Sequence, residues 1–127
     1  MTGTWYEGGC HCGSVRFRIR LHHNKAIECN CSMCAKKGFV NLIATEEDFE
    51  LLQGEESLGL YQFNTMTAQH RFCKTCGIHV FTRPRSHPDG YDINARCLDD
   101  GHEFLETSVF DGQNWEESVA SIRGENN

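Results

Sequence analysis

Seven of the eight cysteines in this 127-residue chain fall into three short clusters. The first is Gly9-Cys10-His11-Cys12-Gly13, the second Cys29-Asn30-Cys31-Ser32-Met33-Cys34, and the third Cys73-Lys74-Thr75-Cys76-Gly77. Zinc takes thiolates at about 2.3 Å in a tetrahedron, so sulfurs sharing one ion lie roughly 3.7 Å apart. A Cys-x-x-Cys turn achieves this spacing, and a glycine after the second cysteine relaxes the backbone. In Cys-x-Cys the two side chains leave one side of a strand. A bend must then bring the sulfurs together, and Gly8, Gly9 and Gly13 around the first cluster permit one.

Four thiolates close a structural zinc site, whereas three leave an open position of the kind catalysis uses. Seven cysteines divide naturally into four plus three. The simplest partition joins Cys10 and Cys12 to Cys73 and Cys76. Cys29, Cys31 and Cys34 then form a local trio that can accept a water or a substrate thiolate. Two other readings stand beside this one. The even number of cysteines permits disulfides. Against them are the tight Cys-x-Cys spacings and the stretch from Met1 to Gly9, which lacks the basic start and apolar core of an export signal. Alternatively all zinc is structural, with His11, His70 or His79 completing the trio. Cys97 is left over, either a small buried hydrophobe or a fourth ligand or redox partner of the trio.

Composition shows why such a tie matters. Leu, Ile, Val and Phe number only 27 of 127 residues, barely above the fraction at which chains stay disordered. A single domain over 1–127 is expected, with its motif core at about 5–110 and an acidic tail at about 111–127. The net charge of −6 is uneven: residues 1–98 carry 11 basic and 10 acidic side chains, and residues 99–127 carry one and eight. No basic stripe with interleaved aromatics is present, which disfavours nucleic acid as a partner. No apolar run approaches a membrane span. The missing export signal points to the cytoplasm, with the nucleus also open.

Val15, Phe17, Ile19 and Leu21 alternate with Arg16, Arg18, Arg20 and His22, which predicts a strand with a strongly basic outer face. Further strands are expected over Phe39–Ala44, Leu58–Phe63, Gln69–Phe72, Ile78–Thr82 and Tyr91–Arg96. Glu46 to Leu52 reads as a helical turn or loop, with Glu46, Glu47, Asp48 and Glu50 on a solvated face. Gly54-Glu55-Glu56 is a turn, and Pro84, Pro88, Asp89 and Gly90 mark a loop. No helix is predicted, so the chain reads as mainly β.

In order along the chain, Gly-Gly-Cys10-His-Cys12-Gly-Ser-Val-Arg-Phe, Cys29-Asn-Cys31-Ser-Met-Cys34 and Arg71-Phe-Cys73-Lys-Thr-Cys76-Gly-Ile-His-Val-Phe resemble the glutathione-dependent formaldehyde-activating enzyme family, also called the centromere protein V family. Gly54-Glu55, Tyr61-Gln62-Phe63 and Asn94-Ala95-Arg96-Cys97-Leu98-Asp99 fit the same pattern, so the likeness runs from about Gly8 to Asp100.

The resemblance implies an Mss4-like fold of small antiparallel sheets organised around zinc. It implies a structural zinc on Cys10, Cys12, Cys73 and Cys76, and a second, more labile zinc on Cys29, Cys31 and Cys34. It further implies carbon–sulfur lyase chemistry on adducts of glutathione, or another small thiol, with formaldehyde or another small aldehyde. Glutathione carries two carboxylates, for which Lys36, Lys37, Arg83, Arg85 and Arg96 are candidate clamps. Ser32 and Asn30, between the ligands, could hydrogen-bond the sulfurs or simply form the turn. The alternative is a zinc-stabilised protein-binding module of the same fold without small-molecule catalysis.

Overall fold

The alternating segment after the first cysteine pair forms the centre of a three-stranded antiparallel sheet. The computed structural model describes residues 3–63, 66–87, 89–111 and Glu116. Strand β1 (Thr4–Gly9) pairs with β2 (Arg16–Leu21), and β2 pairs with β5 (Phe49–Gln53). A second sheet has seven strands in the order β10-β3-β4-β9-β8-β7-β6. These are β3 (Lys25–Cys29), β4 (Val40–Thr45), β6 (Leu58–Tyr61), β7 (Gln69–Cys73), β8 (His79–Arg83), β9 (Gly90–Asn94) and β10 (Glu106–Phe110). All pairs in it are antiparallel except β10 with β3. The mainly β expectation therefore holds.

The two sheets share one core. Val15, Phe17 and Ile19 are fully buried, as are Leu42 on β4, Val80 on β8 and Ile93 on β9. Phe49 joins the sheets, with ring centroids 5.8 Å from Phe17, 5.0 Å from Phe81 and 4.4 Å from Tyr91. Such aromatic contacts each add roughly 0.5–1.5 kcal/mol beyond their buried area. That helps a chain with few aliphatic residues to cohere.

Several expectations are corrected. A short helix, α1 (Ser32–Lys37), lies inside the second cysteine cluster, where none was predicted. It buries no residue, so it has no apolar stripe to betray it in the sequence. Besides β5, which falls in the segment expected as a turn or loop, three strands were not anticipated, β1, β3 and β10. Their exposed, mixed faces lack clean alternation, and backbone pairing with a neighbour recruits them. The segment Glu46–Leu52 splits into a 3₁₀ turn (Glu46–Asp48) and the strand β5, while Tyr91–Arg96 ends in a second 3₁₀ turn (Ala95–Cys97). Pro88, and the acidic tail apart from Asp111 and Glu116, lie outside the described residues.

Two charge readings also change. Asp48 is buried rather than solvated. Its carboxylate accepts from Arg20 Nε at 2.7 Å, lies 3.2 Å from His22 Nε2, and accepts from the Thr45 hydroxyl at 3.2 Å. The basic face of β2 is neutralised by partners that are remote in sequence. Arg16 forms a two-pronged pair with Asp99, and Arg18 Nε meets Glu50 at 2.7 Å. Trp5 lies beneath Arg18 and Arg20, 4.3 and 5.0 Å from their guanidinium carbons.

Candidate metal centres and the adjoining cleft

The first and third clusters are both tight turns between antiparallel strands. Cys10 and Cys12 lie in the β1–β2 turn, where the Gly13 N–H donates to the Cys10 carbonyl. Cys73 and Cys76 lie in the β7–β8 turn, where the Gly77 N–H donates to the Cys73 carbonyl at 2.8 Å. Gly13 and Gly77 have φ of +84° and +79°, a left-handed conformation that glycine adopts without steric cost. Each turn thereby folds its two sulfurs to one side.

The tertiary structure then brings the turns together. Cys10 Sγ lies 3.6 Å from Cys12 Sγ, and Cys12 Sγ lies 3.7 Å from Cys73 Sγ. All four sulfurs of Cys10, Cys12, Cys73 and Cys76 lie within 4.8 Å of one another. Those separations match the edge of a tetrahedron with metal–sulfur bonds of about 2.3 Å. The Val15 N–H points at Cys10 Sγ, and the Ser14 hydroxyl lies 3.2 Å from Cys12 Sγ. The Ser14 hydrogen bond lowers the Cys12 thiol to about 6, favouring the thiolate a metal needs.

The trio is assembled locally. Cys29 ends β3, Cys31 is the N-cap of α1, and Cys34 sits one turn into the helix. The Cys31 N–H points at Cys29 Sγ, and the Cys34 N–H at Cys31 Sγ, each at 3.4 Å. A helix can thus be capped by sulfur as by a serine oxygen, which explains why these three residues lie close. Their sulfurs lie within 4.8 Å of one another, and among the described residues no histidine or carboxylate joins them. Hydrogen bonding from the Cys29 and Cys34 sulfurs pulls the Cys31 thiol far down, while the same proximity to Cys29 and Cys31 pushes Cys34 up. Both clusters therefore have the donor chemistry of metal sites, one with four sulfurs and one with three.

The trio lines a cleft of about 450 Å³. Its apolar lining includes Ile27, Phe39, Ile43, Phe63 and Phe110, and its polar lining includes Asn41, His70, His79, Thr82 and Asp92. No sequence signal marked Asn41, Thr82 or Asp92. Asn41 donates from Nδ2 to the Ile27 carbonyl at 2.9 Å, and its side-chain amide lies 3.9 Å from Cys34 Sγ. It is inside β4, in a segment whose other residues read as plain core.

The remaining candidate residues divide. Ser32 and Lys37 line the cleft, and so does Arg85, which is paired with Glu116. Lys36 is exposed and lies off the cleft wall. Arg83 pairs with Glu46 at 2.7 Å and stacks over Tyr91 at 4.2 Å. Arg96 Nε donates to the Gly38 carbonyl at 2.7 Å, beside the end of α1. Asn30 Nδ2 donates to Asp111 Oδ1. Cys97 belongs to neither sulfur group. It is buried, and burial pushes its thiol up to about 12. His11 is exposed, and His70 and His79 are buried in the cleft wall.

Comparison with known proteins places this geometry among relatives. Residues 5–116 match the family model described as glutathione-dependent formaldehyde-activating enzyme. A Halomonas elongata protein provisionally named as such an enzyme is 33% identical over 79 residues, 55% of this chain and 50% of that protein. A similarly named Penicillium rubens protein is 30% identical over 88% of this chain and 58% of its own length. An uncharacterised lyase of Schizosaccharomyces pombe is 25% identical over 85% of this chain and 76% of its own length. The chain thus spans about half the length of the Halomonas and Penicillium relatives. A crystal structure of a Rhodobacter sphaeroides protein aligns with a TM-score of 0.74 and 36% identity, covering 81% of this chain and 98% of that one.

Proposed function

Because this chain belongs to the glutathione-dependent formaldehyde-activating enzyme family, we propose that it is a zinc-dependent carbon–sulfur lyase acting on adducts of glutathione with a small aldehyde. The observation that carries the reading is the placement of three sulfurs, with no fourth protein ligand among the described residues, on the wall of a cleft of about 450 Å³. In this reading Cys10, Cys12, Cys73 and Cys76 would hold a closed structural zinc away from the cleft, and Cys29, Cys31 and Cys34 would hold an open one on its wall. An open zinc supplies Lewis acidity, which keeps a thiol deprotonated or polarises a carbonyl at neutral pH.

The chain's own residues do the rest. The Cys31 and Cys34 N–H groups point at sulfurs and moderate the charge on the trio. Asn41 bridges the Ile27 carbonyl and the neighbourhood of Cys34 and so orients the helix against β4. The apolar wall of Ile27, Phe39, Ile43, Phe63 and Phe110 limits water at the reacting atoms. Lys37 is the cation on that wall nearest the trio in sequence and the candidate partner for a substrate carboxylate. In the synthetic direction the thiol sulfur adds to the carbonyl carbon, the carbonyl π pair moves to oxygen, and the thiol's proton ends on that oxygen. Cleavage is the reverse.

Zinc-loaded protein titrated with glutathione, with and without formaldehyde, tests the reading by X-ray absorption. The expected result is two zincs per chain and a sulfur added to the shell of one of them. A zinc shell indifferent to glutathione would refute the substrate, and would favour a zinc-stabilised binding module.

A further inference from the structure

Three buried polar atoms have no hydrogen-bond partner among the described residues: His70 Nε2, His79 Nδ1 and Asp92 Oδ1. Unsatisfied buried atoms are rare enough in folded proteins to call for a reason. All three residues line the cleft that holds the cysteine trio, and each is at least nine-tenths buried. They come from adjacent strands, His70 on β7, His79 on β8 and Asp92 on β9.

The hydrogen bonds among them decide where the protons are. His79 Nε2 lies 3.1 Å from the Phe81 carbonyl oxygen and 2.7 Å from Thr82 Oγ1. A carbonyl only accepts, so the His79 proton is on Nε2. Thr82 Oγ1 accepts a share of that N–H, and its own proton is left to donate to His70 Nδ1 at 3.2 Å. His70 Nδ1 is therefore an acceptor, and the proton of the neutral ring is on Nε2. The result is an N–H donor in the cleft wall, held by a chain that ends on the backbone. Its ring is fixed further by stacking on Phe63, 5.5 Å between centroids.

The ring stays neutral. Burial pulls His70 down to about 4 and His79 down to about 3, with the Lys37 ammonium adding to both shifts. Asp92, deeply buried, is pushed up, so the carboxyl beside them also disfavours its charged form. A neutral imidazole N–H in such a place stabilises developing negative charge without giving up its proton.

We propose that His70 is a catalytic residue whose Nε2–H donates to the aldehyde oxygen, with Thr82 and His79 as positioning residues. As the thiol sulfur bonds to the carbonyl carbon, the π pair collects on oxygen. His70 binds that oxyanion until it takes the proton the thiol released. In cleavage the same donor steadies the alkoxide as the carbon–sulfur bond breaks. This inference rests on the thiol–aldehyde reading of the cleft.

The test uses the full chain loaded with zinc and measures exchange between glutathione, formaldehyde and their adduct by NMR. His70→Phe is expected to lower kcat by about 10²–10³-fold, the usual loss for one oxyanion donor. Two zincs per chain and unaltered glutathione affinity are expected to remain. His70→Gln, whose amide N–H reaches a similar position, is expected to recover part of the loss, and Thr82→Val to fall between it and the wild type. The ¹⁵N shifts of His70 in the unreacted protein are expected to report the Nε2-protonated neutral ring, a readout independent of activity. An active wild type matched within threefold by folded His70→Phe overturns the proposal, as does an Nδ1-protonated ring. A wild type that leaves the exchange unaccelerated overturns the parent reading and this inference with it, a result distinct from an active enzyme indifferent to His70.

Discussion

Removing the four-sulfur site is expected to destabilise the protein far more than removing the trio. Cys12 is exposed and Cys76 only partly buried, so Cys12→Ser/Cys76→Ser removes two donors with little loss of packing. The site joins turns whose Cys12 and Cys73, with sulfurs 3.7 Å apart, are separated by 61 residues in sequence. A cross-link closing a loop of that length removes about 4 kcal/mol of chain entropy from the unfolded state. The trio spans only Cys29 to Cys34, and closing so short a loop amounts to about 2 kcal/mol. Cys31→Ser should cost less still, because Cys31 is the N-cap of α1 and serine caps well.

Measured against a total stability of about 5–15 kcal/mol, the first loss is large. For a domain of this length each kcal/mol shifts the melting point by about 3–5 °C. The double variant should therefore melt about 12–20 °C lower than the wild type, and Cys31→Ser less than about 10 °C lower. The assay is thermal and urea unfolding of the zinc-loaded proteins, with zinc counted on each sample. Equal losses in the two variants would refute the loop-closure argument, because both sites would then contribute only local coordination energy.

Two further outcomes are expected. Burial tends to raise the Asp48 carboxyl, but the bonds from Arg20, His22 and Thr45 outweigh it and hold the group below its ordinary value. A depressed folded value contributes stability above the unfolded value and loses it as pH falls. Asp48→Asn should therefore cost about 1–3 kcal/mol at pH 7, with the gap closing as acid takes the wild type from about pH 4 through its lower folded value; a gap unchanged at pH 2 would contradict this. Asn41→Ala should weaken zinc at the trio by about 10–100-fold while sparing the four-sulfur site, read by competition with a chromophoric chelator, and equal zinc retention at both sites would exclude the role given to Asn41.

Residues whose signal is local were legible in the chain. The Cys-x-x-Cys-Gly turn, the Cys-x-Cys pair and the alternation of Val15 to Leu21 each act within a few residues. Their geometry follows from short-range stereochemistry; the grouping of seven cysteines into four and three came from counting ligands, and the tertiary structure brings the four together across some sixty residues. Helix α1 was not legible, because six residues without an apolar face carry no periodicity and only the sulfur cap and Gly38 define its ends. Strands β1, β3 and β10 were hidden for a related reason: their pairing is decided by neighbours elsewhere in the chain.

By itself, then, the sequence determined which side chains could ligate a metal and that the protein would be mostly strands. Only the tertiary structure decided what surrounds them. It set Arg16, Arg18 and Arg20 against acids between 28 and 83 residues away, so the basic stripe became a paired surface. It also stacked β7, β8 and β9 so that His70, Thr82, His79 and Asp92 share one cleft wall with the trio. A hydrogen bond fixes a proton only when donor and acceptor lie within about 3 Å. For residues on different strands that distance is a property of sheet register, and no local pattern in the sequence encodes it.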